Sequence, residues 1–180
     1  NSNGETITDT NDVPIAVQGL EIKTDGSWSF DPANDAYNAL AEGETQTINV
    51  TYQVADTDGL TGENSFVITL TGTNDAPTAT FTAAQTATED ANVITGELTS
   101  DDVDATDTIT YSLLGAEIPG LTINANGSWS FNPSDSAYQG LAEGTQQVIK
   151  VNYSATDSSF ATATNSFEIT LTGTNDIPVV

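Results

Sequence analysis

The chain has 180 residues, with 26 Asp plus Glu against 2 Lys plus Arg and no His, Cys or Met, for a formal net charge of -24. Cysteine nucleophiles, histidine acid/base chemistry, Cys/His zinc sites and disulfides are excluded by composition. With Lys23 and Lys150 as the only cations, no phosphate-binding surface can be assembled, so nucleic acid is excluded as a partner and an anionic membrane would repel the chain.

Hydrophobic residues make up 37% of the chain and fall in alternating runs, which argues for folded strands over disorder. Thr, the commonest residue, suits a half-solvated strand surface. No stretch approaches the roughly 20 apolar residues that span a bilayer, so no membrane insertion is expected. The opening residues lack the basic and apolar regions of a signal peptide, and the segment reads as excised from a longer chain.

From the N-terminus onward the sequence states one pattern twice. Gly26-Ser27-Trp28-Ser29-Phe30 returns as Gly127-Ser128-Trp129-Ser130-Phe131, an offset of 101 residues. The same offset carries Leu40-Ala41-Glu42-Gly43 onto Leu141-Ala142-Glu143-Gly144, and Leu70-Thr71-Gly72-Thr73-Asn74-Asp75 onto Leu171-Thr172-Gly173-Thr174-Asn175-Asp176. So long a period implies two domains, each with its own core, at residues 1–77 and 78–180. Glu5 to Thr10 match only the third strand of copy two. Copy one is therefore either truncated at its front or naturally split, with its first strands supplied from elsewhere.

In copy two the predicted strands run in order through Ala79 to Phe81, Val93 to Leu98, the Ile109/Tyr111/Leu113 face, Leu121/Ile123, Trp129/Phe131, the Ile149/Val151/Tyr153/Ala155 face, and Phe167/Ile169/Leu171. Those from Ile109 onward show the period-2 alternation of a strand with one buried face. Asn126-Gly127, like Asp25-Gly26, predicts a two-residue hairpin turn with both central residues at positive φ. Pro133 to Leu141 (Pro32 to Leu40 in copy one) predicts one or two helical turns crossing between sheets, with Tyr37 and Tyr138 packed there and their hydroxyls bonded. About seven short strands in about 100 residues predict an all-β fold of tandem immunoglobulin-like sandwiches. Both tryptophans, Trp28 and Trp129, are expected in the cores.

The carboxylates cluster at Asp101-Asp102-Val103-Asp104 with Asp107, at Asn74-Asp75 and Asn175-Asp176, at Glu89-Asp90, and at Asp56-Thr57-Asp58. Hard cations such as calcium take six to eight oxygens from carboxylates and carbonyls, which such loops supply. Two basic side chains cannot neutralise these groups, so another cation must. The competing reading is a solvated acidic surface that keeps a secreted protein soluble.

Strand counting places the Asp101–Asp107 loop at the leading end of copy two, beside the Asn74-Asp75-Ala76-Pro77 linker, with Asp157 at the same end. Copy one presents Asp31, Asp35 and Glu42 toward the linker. The candidate ligands for Ca2+ between the copies are thus Asn74, Asp75, Asp101, Asp102, Asp104, Glu42 and Asp31. A second set, for a following domain, is Glu89, Asp90, Glu143, Asn175 and Asp176.

The series Gly96 to Asp104, Leu121 to Phe131, Leu141 to Gly144 and Ile169 to Pro178 resembles the VCBS and cadherin-like repeats of giant bacterial RTX adhesins. The likeness covers nearly all of copy two and copy one after about Gly19. It implies extracellular repeats at the bacterial surface, arranged in tandem, calcium-bound at domain junctions, and exported by type I secretion. The Asn-Asp-x-Pro linker and the Asp102/Asp104 pair also resemble cadherin calcium motifs. One departure is Asp157-Ser158-Ser159-Phe160, where the family usually has an Asp-Gly pair, kept in copy one as Asp58-Gly59; this counts against Asp157 as a ligand.

The leading reading is a non-catalytic, calcium-stabilised extender that projects a ligand-binding region for adhesion or biofilm formation. Its partners would be neighbouring repeats and, through other domains, a host-cell or surface ligand; a monomer is expected. The alternative is a carbohydrate- or peptide-binding module, or the split scaffold that carries one. Against it stands the expected burial of both tryptophans, which leaves no aromatic platform for a sugar. A glycosidase with paired carboxylates is a third reading, opposed by the absence of any implied deep pocket.

Overall fold

The computed structural model describes residues 17–177, which fall into two compact units that divide between Asn74 and Asp75. The strand expected at Glu5 to Thr10 and the Pro178 of the closing linker lie outside the described residues. Among those residues there is no α-helix.

In the first unit, β1 (Leu20–Ile22) and β2 (Trp28–Phe30) form one antiparallel pair, and β3 (Thr45–Ala55) and β4 (Thr61–Thr71) form a long one. The second unit contains β5 (Thr78–Ala79), β6 (Gln85–Thr88), β7 (Ile94–Glu97), β8 (Ser100–Asp101), β9 (Thr110–Leu113), β10 (Leu121–Ile123), β11 (Ser128–Phe131), β12 (Gln146–Thr156) and β13 (Thr162–Thr172). A three-stranded sheet, β10-β11-β7, faces a four-stranded sheet, β6-β13-β12-β9, and β5 pairs with β8.

Two of these strands, β6 and β8, escape the hydrophobic pattern. Gln85-Thr-Ala-Thr88 turns only Ala87 into the core. It is held by parallel main-chain pairing to β13, Ile169 opposite Gln85 through Thr172 opposite Thr88. Ser100–Asp101 is likewise polar and stays in place by pairing with Thr78–Ala79.

The turns differ from expectation in a consistent way. At the Asp25-Gly26 and Asn126-Gly127 hairpins only the glycines take positive φ, +85° and +91°. The Asp25 and Asn126 side chains accept the N–H of Ser27 and Ser128, at 2.9 and 3.1 Å. That local bond holds the residue before glycine in an ordinary conformation and makes a longer loop with a glycine bulge. The Pro133 to Leu141 stretch forms turns instead of a helix, because Asn132 and Asp135 each accept the N–H two residues on, from Ser134 and Ala137. Such bonds compete with helix formation. In copy one they leave a single 3-10 turn at Asp35–Tyr37. The tyrosines do pack here: Tyr37 Oη donates to Gln18 O at 2.7 Å and Tyr138 Oη to Pro119 O at 2.9 Å.

The second unit's core joins Trp129 and Phe131 from one sheet, and Leu98 just after β7, to Ile149, Val151, Tyr153, Phe167, Ile169 and Leu171 from the other sheet. Phe81 stands edge-on to Phe167, with centroids 5.1 Å apart, and Trp129 lies 5.2 Å from Phe167. Gly96 is required beneath the indole, since a Cβ there would meet Trp129 Cζ2 at 2.6 Å. Full burial of each large side chain contributes roughly 1.5–3 kcal/mol.

The first unit corrects one expectation. Trp129 is 2% exposed, but its counterpart Trp28 is 52% exposed. Trp28 stacks on Phe66 at 4.9 Å, reproducing the Trp129–Phe167 contact, yet the described part of this unit has no counterpart of Phe81 or β7 to cover the other side. The position is core-facing by pattern and uncovered in fact.

Candidate metal centre

Folding brings one set of carboxylates together at the leading end of the second unit. The segment after β8 turns back on itself: Asp104 N donates to Asp102 Oδ1 at 3.0 Å and Asp107 N to Asp104 O at 3.2 Å. The loop joining β12 to β13 is closed by Asp157, whose N–H reaches Ala161 O at 3.1 Å and whose Oδ1 accepts Ala161 N at 2.8 Å. Ser158 Oγ donates to Asp107 Oδ1 at 2.5 Å, tying the two loops together. Carboxylate oxygens of Asp102, Asp107 and Asp157 then lie within 4.8 Å of one another.

Asp104 is 2% exposed and Asp157 3%. Asp104 Oδ2 accepts the Asp75 N–H at 2.8 Å, fixing the first residue of the unit to the cluster. Burial above all, then the charges of Asp102, Asp75 and Asp107, push the Asp104 carboxyl above the ordinary carboxylate value; the Asp75 N–H acts the other way.

Buried polar atoms normally find partners. Here Asp102 Oδ2, Asp104 Oδ1 and Asp107 Oδ2 are buried without a hydrogen-bond partner. Three orphaned carboxylate oxygens within the one segment 102–107, with more carboxylate at hand, fit a hard divalent cation of the calcium type. The cations of the chain lie elsewhere in sequence, Lys23 just after β1 and Lys150 on β12 in register with Glu168.

At the other end of the sandwich Glu89 is 1% exposed. Its Oε2 accepts Thr174 N at 2.8 Å, and its Oε1 is a fourth buried, unpartnered oxygen. Asp90, at φ +62°, accepts Gln139 Nε2 at 3.0 Å and Thr174 Oγ1 at 3.4 Å. Asn175 and Asp176 follow directly and are exposed. The eleven residues of β13, at about 3.3 Å each, set this group roughly 35 Å from Asp157.

The other expected ligands have different surroundings. Asp101 is exposed in β8, its carbonyl accepting Thr78 Oγ1 at 3.1 Å. Asp31 is exposed and accepts Ala33 N at 3.0 Å, capping its own turn. Glu42 and Glu143 are exposed on the loops before β3 and β12, and Asn74 is half-buried at the end of the first unit.

Sequence reasoning left two members of the cluster out. Asp107 was visible in the acidic run but stood apart from the Asp-x-Asp pair. The loop's departure, Phe160 in place of a glycine, counted against Asp157; in the structure Phe160 takes the left-handed conformation itself, φ +69°, where Gly59 has +85° in copy one. The loop is kept, and Asp157 with it.

Family comparison follows from this geometry. A model described as Bacterial Ig domain matches residues 74–170, more than half of the chain. The chain belongs to that family. Among solved structures it is similar to human CDH23 EC21-23, with a TM-score of 0.58, 18% identity, and coverage of 95% of this chain and 56% of that one. It is also similar to protocadherin gamma B7 domains 1-4, at 0.54, 17%, 87% and 39%, and to mouse cadherin-23 EC22-24, at 0.53, 14%, 87% and 50%. The chain thus spans less than two thirds of each of these, and the likeness establishes an all-β, cadherin-like fold. No curated protein matches it. Bacterial Ig domains are usually extracellular or surface-exposed and typically non-catalytic.

Proposed function

We propose that this bacterial Ig domain chain is a calcium-stabilised spacer from a large RTX-type surface adhesin, projecting a ligand-binding region elsewhere in the parent protein for adhesion or biofilm formation. The observation that carries the reading is the set of buried, unpartnered oxygens on Asp102, Asp104 and Asp107 beside Asp157. Charges so close repel with an energy that scales as about 332/(εr) kcal/mol, and this chain has almost no cations of its own. Bound calcium supplies the missing positive charge. Asp102, Asp104, Asp107 and Asp157 would hold it, with Asp75 fixing Asp104.

Glu89 and Asp90, next to Asn175 and Asp176, make the second proposed set, at the opposite end of the unit. Sets at both ends suit a repeat whose neighbours in the chain are its partners. Asn74, Asp101, Asp31, Glu42 and Glu143 remain proposed ligands on sequence spacing alone, as do the domain limits 1–77 and 78–180.

The test is calorimetric titration with calcium together with thermal unfolding in calcium and in chelator. Heat of binding and a higher melting temperature in calcium are expected, both reduced by Asp102→Asn. Identical melting in the two conditions, with no heat, would leave the acids as solvated surface and end the spacer-stiffening mechanism.

The binding-module alternative gains one observation, the half-exposed Trp28. Its neighbours, however, are those of the Trp129 core, so the surface is an uncovered sandwich interior and not a flat platform for a sugar.

A further inference from the structure

N-linked glycosylation requires an asparagine followed two residues on by a serine or threonine, with any residue but proline between them. Three triplets of the sequence qualify: Asn49-Val50-Thr51, Asn126-Gly127-Ser128 and Asn152-Tyr153-Ser154. The middle proline disqualifies Asn132-Pro133-Ser134. The fold treats the three differently.

Asn49 and Asn152 lie inside the long strands β3 and β12, opposite Val67 and Ser166 of their hairpin partners. Their middle residues, Val50 and Tyr153, are fully buried, and Ser154 Oγ is engaged with Ser112 Oγ at 2.8 Å. A transferase has to grip the acceptor's main chain and its hydroxyl. At these two sites that means pulling a strand out of its sheet, and core strands open only at close to the cost of global unfolding.

Asn126 stands instead at the exposed tip of the hairpin between β10 and β11. Gly127 behind it is fixed in place: its N–H donates to Asn124 O at 2.9 Å, its carbonyl accepts Leu98 N at 2.8 Å, and a Cβ there would meet the Tyr111 ring at 2.9 Å. The amide and the hydroxyl of the triplet are already assembled. Asn126 Oδ1 accepts Ser128 N at 3.1 Å and Ser128 Oγ at 2.7 Å, and Ser128 Oγ in turn accepts Asn124 Nδ2 at 2.9 Å. Hydrogen bonds to the amide oxygen stabilise the anion left when Nδ2 loses a proton, and the Asn124 bond strengthens the Ser128 donor. None of these bonds uses Asn126 Nδ2, which leaves the nucleophilic atom available.

We propose that Asn126 is an acceptor for N-linked glycosylation, its donor a sugar activated by a diphosphate leaving group. Nδ2 bonds to the anomeric carbon, the anomeric carbon–oxygen bond breaks with its electron pair departing on the diphosphate, and the Nδ2 proton passes to a base of the transferase. The first copy supplies the contrast. There Asp25 occupies the matching position in the same turn, its Oδ1 accepting Ser27 N and Ser27 Oγ at 2.9 and 2.6 Å. A carboxylate has no N–H to exchange for a sugar, so of the two hairpins only that of the second unit can be modified. The inference does not rest on the calcium reading.

The test incubates the folded full chain with a soluble asparagine glycosyltransferase and UDP-glucose, and separately with a bacterial oligosaccharyltransferase and a lipid-linked oligosaccharide. Intact mass and peptide mapping are the readouts. A single glycan at Asn126 in either arm is expected, and the arm that responds tells a nucleotide-linked donor from a lipid-linked one. Modification should be lost completely in Asn126→Asp, whose turn the first copy already accommodates, lost in Ser128→Ala, and kept in Ser128→Thr. Any of three results overturns the inference: no gain in mass in both arms, a glycan on Asn49 or Asn152 of the folded chain in place of Asn126, or Ser128→Ala modified as fully as the unaltered chain.

Discussion

Trp28 and Trp129 sit in identical pentapeptides, make the same contact with a phenylalanine on the facing hairpin, and differ in exposure by half their surface. Val50 and Val151 occupy the corresponding centre of the long hairpin and are both fully buried. The two copies therefore share the part of the core made by local hairpins and part company where distant strands must close over it. Alternation in a sequence reports which face of a strand is apolar; it does not report whether a lid from elsewhere in the chain is present.

The largest expected effect separates the copies directly. Trp129→Ala should cost about 3–5 kcal/mol, as for large aromatic truncations in cores. Trp28→Ala should cost well under half of that, because much of its surface is already in water. Denaturant unfolding followed by far-ultraviolet circular dichroism measures both. Equal costs would mean that Trp28 is covered in solution.

Calcium should act next most strongly, and on the second unit's cluster. An ion at a hundred times its Kd stabilises the form that binds it by about 2.7 kcal/mol. Asp104→Asn sharpens the point by its sign. It keeps an oxygen for the Asp75 N–H but removes a buried charge that its neighbours oppose. In chelator it should raise the melting temperature; in millimolar calcium, where a ligand charge is lost, it should lower it. A shift of the same sign in both conditions would detach the cluster from calcium.

Most of the fold was legible in the sequence because it is built by period-2 hairpins joined by glycine-bearing turns. The Leu-Thr-Gly-Thr repeat is a good example: a Cβ at Gly72 or Gly173 would meet the carbonyls of the Leu-Ala-Glu-Gly loop at 2.2 and 2.4 Å, so the two motifs recur together because they touch. Strands β6 and β8 were not legible, since main-chain pairing holds them and leaves no apolar signature. The candidate metal cluster was half legible. Asp102 and Asp104 announce themselves by spacing, whereas Asp157 arrives from more than fifty residues away through the β12–β13 turn, a placement that only the folded register supplies.

A smaller effect is expected at Gly96. Gly96→Ala places a methyl group 2.6 Å from the Trp129 ring, and overpacking of this kind costs about 1–3 kcal/mol. If Trp129 is as tightly covered as described, the variant's tryptophan emission should shift to the red along with the loss of stability. Unchanged emission would show a looser lid.

The smallest effect returns to the loop where the copies chose different residues for one backbone shape. Phe160 holds φ +69° and is 85% exposed, while Gly59 holds +85° at the matching position. A left-handed conformation costs an ordinary residue about 1–2 kcal/mol, and glycine gives back roughly 0.5–1 kcal/mol through the greater freedom of its unfolded chain. Since Phe160 has almost no burial to lose, Phe160→Gly should stabilise by about 0.5 kcal/mol, and Gly59→Phe should destabilise by a similar amount. Asp157 should keep its place in the first variant, because its bonds to Ala161 run through the main chain and its own carboxylate. Thermal unfolding of the two variants in chelator isolates the backbone contribution. Shifts of the same sign would mean that the side chain at this position is held by something other than the conformation it is forced to adopt.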